Sequence, residues 1–496
     1  MAIVAESFIL DPGYQGTLQQ QLRQIVVDGV LSGRFRPGER LPSSRALARH
    51  LGISRITVTL AYTELVATDY LMARGRSGYF ISEAAPRPPS FERPAERAGR
   101  DGGEPRVDWQ RALGRRFSQS TAPVRPADWQ RYPYPFIYGQ PDPELFDYQN
   151  WRACALQALG QRDLEVLTSD AYERDDARLV EYILRHILPR RGIWARPQEI
   201  LLTLGGQNAL WLAAEVLLNQ RRMAVMENPC YPGLRTILEQ MRCHSVFVDV
   251  DDDGLPPERL PRGTDVLFVT ASHQCPTNAT MPVARRRALL ERATEQGFII
   301  VEDDYEFELS PTRAPSPALK SLDETGAVVY AGSFSKSLFP GLRLGYLVGD
   351  AAFIEEARAL RALVLRHPPG HLQRTAAYFL SLGHYDAQVT RLSAAYARRR
   401  EAMAGALAAH GLDTHAPRFG ASSAWLRAPA GTDIDALAFR LRQRGVLIEP
   451  GQGFFRRPEE GRGTYRLGFS SIPTARIPPG IALLAEEMAV EDAVPA

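Results

Sequence analysis

The sequence predicts an α/β protein of two folded parts. A small N-terminal helical unit closed by a two-stranded hairpin precedes a large domain on a mostly parallel sheet, which ends in a smaller C-terminal α/β subdomain. Three observations predict this. A chain of 496 residues is longer than one ordinary core holds. Residues 85–131 are rich in Pro, Arg, Gly and Glu and poor in large apolar side chains, as linkers are. Beyond them, short apolar runs alternate with helical periodicity, the pattern of parallel strands covered on both faces. The expected division is 13–84, a linker over 85–131, and a domain over 132–490.

In the small part, Leu18 to Leu31 carries Leu22, Ile25, Val26 and Val30 at helical spacing. Arg36-Pro37-Gly38 makes a turn. A second helix runs from Pro42-Ser43, with Ser43 as cap, to Leu51. Gly52 allows the tight turn to a third helix capped by Ser54. The third helix is expected to bury Ile56, Leu60 and Leu65 and to leave Arg55, Thr57, Val58 and Tyr62 for other uses. Tyr70–Ala73 and Tyr79–Ser82 read as two strands around the basic turn Arg74-Gly75-Arg76-Ser77-Gly78. The whole chain has a net charge of only +2, so any affinity for nucleic acid must be local. It is: nine arginines against four acids between Thr17 and Ser82 leave +5. Arg45 and Arg55 fall at or near helix starts, where the helix dipole also favours phosphate. Small trihelical domains of this pattern also serve as protein-binding modules.

In the large part, expected strands are Glu199–Thr203, Met223–Glu227, Val246–Val250, Val266–Thr270, Phe298–Val301 and Ala327–Tyr330. Four pieces carry chemistry. Gly205-Gly206-Gln207 follows a strand and opens a helix, where backbone N–H groups bind phosphate. Glu302-Asp303-Asp304-Tyr305 ends an apolar strand; a carboxylate there holds a proton on a ring nitrogen, or binds Mg²⁺, or is solvated. Gly332-Ser333-Phe334-Ser335-Lys336 precedes Pro340-Gly341-Leu342-Arg343. Of the 59 Lys and Arg residues only two are lysine, Lys320 and Lys336. Arginine stays protonated and does no amine chemistry, so Lys336 beside two hydroxyls and Arg343 suits a Schiff base with a clamped phosphate. Arg466, on a late strand, pairs with a ligand anion or with a structural acid.

The four cysteines form no CxxC pair and the nine histidines no HExxH, so neither a disulfide framework nor a metal is expected. The longest apolar stretch, Ile200 to Leu218, is interrupted by Gly205-Gly206-Gln207-Asn208, which argues against a membrane span. No signal peptide is visible at the N-terminus, and the cytoplasm is the expected compartment.

The run GRFRPGERLPSSRALARHLGISRITVTLAYTELVATDYLMARGRSGYFIS resembles the GntR-type winged helix. The resemblance implies that Arg45, Ser54, Arg55 and Thr57 touch double-stranded DNA, beside the wing at Arg74, Gly75 and Arg76. From about Tyr132 to Met488 the order of the motifs resembles fold-type-I aminotransferases. That implies pyridoxal 5'-phosphate on Lys336, Asp303 at the pyridine nitrogen and Tyr305 at the ring hydroxyl. Tyr231, in ENPCYPG, would stack on the ring. Ser333, Ser335, Arg343, Gly206 and Gln207 would bind the phosphate, and Arg466 a carboxylate of the effector. Joined, the two parts resemble the MocR class of regulators. Such chains form head-to-tail homodimers and sense an amine or amino acid through external aldimine formation. MENPCYPGLR and SHQCPTNATMP are similar to the branch for ectoine or taurine catabolism. Aminotransferases commonly have Asn where this chain has Cys275, which makes no equivalent bond to the cofactor. The rival reading is an active aminotransferase that carries a DNA-binding domain.

Overall fold

The computed structural model describes residues 2–86, 107–114, 117, 126–309, 317–412 and 418–492. The chain divides into two compact units, Met1–Arg115 and Arg116–Ala496. Most of the expected linker lies outside the described residues; within it a short helix stands at Trp109–Ala112. Residues at the end of that expected linker already belong to the large unit, because Trp129 packs on Ile137 and Leu447.

In the small unit, α1 (Leu18–Leu31) starts at a capping box made by Thr17 and Gln20. Helix α2 (Ser44–Leu51) is capped by the Ser43 hydroxyl, which accepts from the Ala46 N–H at 3.1 Å. Gly52, at φ 66°, ends it in the left-handed region that glycine enters at little cost. Ser54 then caps α3 (Arg55–Ala67). Strands β1 (Leu71–Ala73) and β2 (Tyr79–Ile81) pair antiparallel and form the wing. The core is built from Leu22, Val26, Leu47, Val58, Tyr62 and Leu65. Leu65 of α3 is buried as expected, but Ile56 and Leu60 are not. Val58, Ala61, Tyr62 and Leu65 are buried, whereas Ile56 is 70% and Leu60 48% exposed. Apolar residues occupy both faces, and the Tyr62 face wins because its ring meets Tyr79 of the wing at 4.9 Å and its hydroxyl donates to Pro42 O.

The large unit is built on seven strands: β3 (Ile200–Thr203), β4 (Met223–Asn228), β5 (His244–Asp249), β6 (Val266–Val269), β7 (Ile299–Asp303), β8 (Val328–Ser333) and β9 (Gly345–Val348). Their order is β3-β9-β8-β7-β6-β4-β5. All are parallel except β9, which runs antiparallel to both β3 and β8. The six expected strands are present; β9 was not anticipated. Apolar clusters cover both faces of the sheet. A smaller sheet holds β10 (Arg418–Phe419), β11 (Ser423–Arg427), β12 (Glu449–Pro450) and β13 (Thr464–Gly468), in the order β10-β11-β13-β12. It packs with the long helix His384–Ala409 and the C-terminal helix as the smaller subdomain. Among the described residues no helix is long and apolar enough to cross a membrane.

Candidate functional site

The sheet topology gathers the predicted residues at one edge. Parallel strands present their carboxyl ends on one side, where ligands of such sheets bind. Strand β3 ends there and runs into Gly205-Gly206 and helix α4 (Gly206–Leu217). Strand β7 ends at Asp303, β8 at Ser333, and β4 leads to Tyr231. Because β9 is antiparallel, it begins where the others end. Gly345 lies opposite both Thr203 and Ser333, so Arg343 arrives beside them. A Cβ on Gly345 would stand 2.8 Å from Gly332 O and 3.0 Å from the Gly205 backbone, which explains glycine at this crossing.

These residues form a cradle for an anion. A Cβ at Gly205 would meet the Arg343 guanidinium at 3.2 Å, and one at Gly206 would meet Ser333 at 3.6 Å. Arg343 donates to Leu204 O at 3.1 Å and makes no ion pair with a described acid. The Ser333 hydroxyl accepts from the Ser335 N–H at 3.2 Å. An exposed, acid-free arginine over a glycine-rich helix start fits a phosphate. Gln207 faces Tyr231, whose hydroxyl donates to it at 3.3 Å.

Three consecutive acids have three surroundings. Glu302 is buried and accepts from the N–H groups of Leu319 and Lys320 at 2.8 and 3.0 Å. Asp304 is buried against Arg191 at 2.7 Å and Tyr330 at 2.9 Å. Asp303, between them, is half-buried and takes no hydrogen bond from a described residue. Its burial, with Asp304 and Glu227 nearby, raises its carboxyl to about 7. An acid without a protein partner at this place fits a protonated ring nitrogen, which would draw its proton off. The donor set therefore fits pyridoxal 5'-phosphate at both ends.

Lys336 follows β8. Its Nζ lies 3.9 Å from the centroid of the Tyr138 ring. Burial lowers its ammonium to about 8, against the pull of Glu306. Tyr305 meets the Tyr138 ring edge-on at 6.5 Å, and burial raises its phenol well above the usual value. Cys275 is buried within electrostatic reach of Arg466, Asp303 and Lys336. Burial pushes its thiol up to about 12, so it stays neutral.

Arg466 is in the site but engaged. Its Nε donates to Glu449 at 2.9 Å, and its guanidinium stacks on Tyr138 at 4.1 Å and Phe454 at 4.6 Å. Burial works against its charge, and Glu449, Cys275 and Tyr138 together outweigh it, so the guanidinium is held above its usual value. Of the two sequence readings of Arg466, the structural acid is the one observed, and it is Glu449. Tyr138, Gly139 and Glu449 were missed. Tyr138 lies against both Lys336 and Arg466, and a Cβ on Gly139, at φ 79°, would stand 2.4 Å from Lys336 Nζ. The signal available in the sequence was the tight Tyr138-Gly139 pair just after the apolar Phe136-Ile137.

In the small unit, Arg45 and Arg55 occupy the first turns of α2 and α3. Arg55 Nε donates to the Ser44 hydroxyl at 3.4 Å. Ser54 spends its hydroxyl as the cap, while Thr57 is half-buried. Arg74 stacks on Phe80 at 4.9 Å at the base of the wing. Gly75 and Arg76 stand in its turn, Gly75–Ser77, with Gly75 at φ 46°.

Residues 153–474 match the family model for aminotransferase class I and II, and residues 18–81 that for bacterial regulatory proteins of the gntR family. The chain is 60% identical to the HTH-type transcriptional regulator TauR of Rhodobacter capsulatus, over 98% of this chain and 100% of that protein. It is 29% identical to the probable rhizopine catabolism regulatory protein MocR of Rhizobium meliloti, over 79% and 78% of the two chains. Among solved structures, kynurenine aminotransferase of Pyrococcus horikoshii in complex with PMP superposes with a TM-score of 0.70 at 26% identity, over 78% of this chain and 99% of that one.

Proposed function

The chain belongs to the gntR-family transcription regulators of MocR type, whose second domain is of aminotransferase class I and II type; on that premise we propose that the large domain is the amine sensor of the DNA-binding unit. One observation carries the reading. The same chain that bears the winged helix brings a lysine of lowered pKa, an Asp303 that no described residue hydrogen-bonds and the Gly205–Ser333–Arg343 cradle to one sheet edge. Pyridoxal 5'-phosphate, when bound, supplies an aldehyde that amines condense with.

The chain's residues divide the work. Lys336 would offer the amine that holds the cofactor and, once an effector amine took its place, would be free. Asp303 would keep the ring nitrogen protonated, Tyr231 would pack on the ring, and Tyr305 would hold the ring hydroxyl. Ser333, Ser335, Arg343 and the N–H groups of Gly206 and Gln207 would bind the phosphate. Arg466 receives an acidic group of the effector, in competition with Glu449. Cys275, a neutral thiol, gives the ring oxygen only a weak bond, which favours sensing over turnover. Freed Lys336 and a filled effector pocket favour one arrangement of the domain, and the linker over 85–131 passes the difference to the DNA reader. The working unit is a cytoplasmic homodimer on its operator. The effector is an amine or amino acid. Of ectoine-type and taurine-type compounds, the 60% identity to TauR supports taurine.

Purified protein titrated with a panel of amines, among them taurine, ectoine-derived diamines and common amino acids, tests this by visible absorbance. A band that shifts with one amine and stays shifted supports the sensor. A shift that decays with release of a carbonyl product contradicts it.

Two expected results follow from the electrostatics. The lowered pKa of Lys336 means that its proton is off above pH about 8, where an ordinary lysine is only about 0.4% neutral. Capture of added cofactor therefore quickens as pH rises, is half-maximal near pH 8 and levels off above it, as stopped-flow absorbance would record. Glu449→Gln removes the acid that occupies Arg466 and should tighten an acidic effector about tenfold, the worth of one hydrogen bond to a charged group. Spectral titration of that variant measures it.

A further inference from the structure

We infer that the DNA-reading helix recognises thymine through methyl contacts made by Ile56, so that part of the operator's sequence is read without hydrogen bonds. This rests on the small unit being a DNA reader. The outward face of α3 is apolar where a base-reading helix would be expected to carry donors. Ile56 is 70% and Leu60 48% exposed, one helical turn apart on one face. The two threonines nearest to them do not restore polarity. Thr59 donates its hydroxyl to Arg55 O at 2.9 Å and Thr63 donates its own to Thr59 O at 2.9 Å. Each commits its hydroxyl proton to its own helix.

The packing of the small unit does not account for this exposure. The core is closed by Val58, Ala61, Tyr62 and Leu65 on the opposite side, and a β-branched Ile in the first turn serves neither helix propensity nor solubility. The charge around the face names its occupant. Arg45, Arg49, Arg55 and Arg74 are all exposed, and none pairs with a described acid. An apolar strip among unpaired arginines fits a surface whose rim is anionic and whose floor carries methyl groups. The major groove of an A·T-containing duplex is such a surface: phosphates line its edges, and each thymine projects a C5-methyl. Arg55 is left for phosphate or guanine, and Ile56 for thymine.

The test removes that methyl without touching any hydrogen-bonding group. Full-length protein first selects its preferred duplex from a random-sequence library. Each thymine of the selected half-site is then replaced by uracil, and the Kd of wild type and of Ile56→Ala is measured on every duplex. Uracil at one or two positions should weaken the wild type about fourfold, the worth of one buried methyl. Ile56→Ala should bind the thymine duplex more weakly and bring the thymine-to-uracil ratio at that position to about one. Ile56→Val should keep most of the ratio. The inference is overturned if uracil costs nothing at any position, or if Ile56→Ala leaves the ratio or the Kd unchanged, as it would if the face docked a protein. A selection that enriches no duplex would overturn the DNA reading itself, a different result from binding without methyl discrimination.

Discussion

Replacing Lys336 by alanine is expected to abolish the visible band of lysine-bound cofactor while leaving the protein folded. Lys336 is one of only two lysines in the chain. The other, Lys320, sits in the short helix Leu319–Leu322 and pairs with Asp323 at 3.3 Å, so it does not substitute. The alanine deletes a desolvated ammonium that rests against Tyr138. Holding that ammonium below pH 8 costs the fold stability, since the lowered pKa marks the charged form as disfavoured. Alanine removes that cost together with some packing, so large destabilisation is not expected. The Gly205–Ser333–Arg343 cradle remains, so phosphate should still bind weakly. Absorbance after dialysis against the cofactor checks the first part, and circular dichroism the second. A variant that kept the band would place the bond on another group and remove the basis of the sensor.

The second large effect lies behind the site. Arg191→Leu should cost the large unit about 3–5 kcal/mol, the usual result of removing one partner of a buried ion pair. Arg191 and Asp304 side chains are each 1% exposed and 2.7 Å apart. Arg191 also donates to the Ser272 hydroxyl at 2.6 Å, and its guanidinium lies over Phe307 at 5.3 Å. Without it, Asp304 is a buried carboxylate beside Asp303 and Glu302 with only Tyr330, among the described residues, to bond it. Asp304 already helps to raise Asp303 to about 7; an unscreened Asp304 should raise it further and weaken its hold on a ring proton. Urea unfolding measures the first consequence and cofactor affinity the second. The double change Arg191→Leu with Asp304→Asn should recover part of the loss, because no unpaired charge is then left buried.

Much of this arrangement is legible in the chain. The wing, the caps Ser43 and Ser54, Gly52 and six strands follow from local rules, and their physical causes are local. Strand β9 was missed because it follows directly on the Pro340-Gly341-Leu342-Arg343 motif and is only four residues long, although Tyr346-Leu347-Val348 suits a strand. Ile56 and Leu60 of α3 were placed inward because periodicity alone does not choose between two apolar faces. That choice is made by Tyr79 and Pro42, contacts fixed by the tertiary fold. Glu302, Asp303 and Asp304 looked equivalent in sequence. Their separate surroundings depend on Arg191 and on the N–H groups of Leu319 and Lys320, far along the chain. The hold of Glu449 on Arg466 depends on the pairing of β12 with β13, and Tyr138 reaches both Arg466 and Lys336 across most of the domain.

The central claim is that ligand chemistry at Lys336 changes DNA affinity. The direct measurement is the Kd for a selected operator duplex, with and without the amine that shifts the absorbance, for the cofactor-loaded wild type and for Lys336→Ala. A tenfold change in Kd requires the effector to distinguish the two arrangements by about 1.4 kcal/mol. The account predicts a change of that order in the wild type, none in Lys336→Ala, and no accumulating keto acid. An operator Kd indifferent to the amine, with steady keto-acid production from a second keto substrate, would contradict it and make the large domain an enzyme.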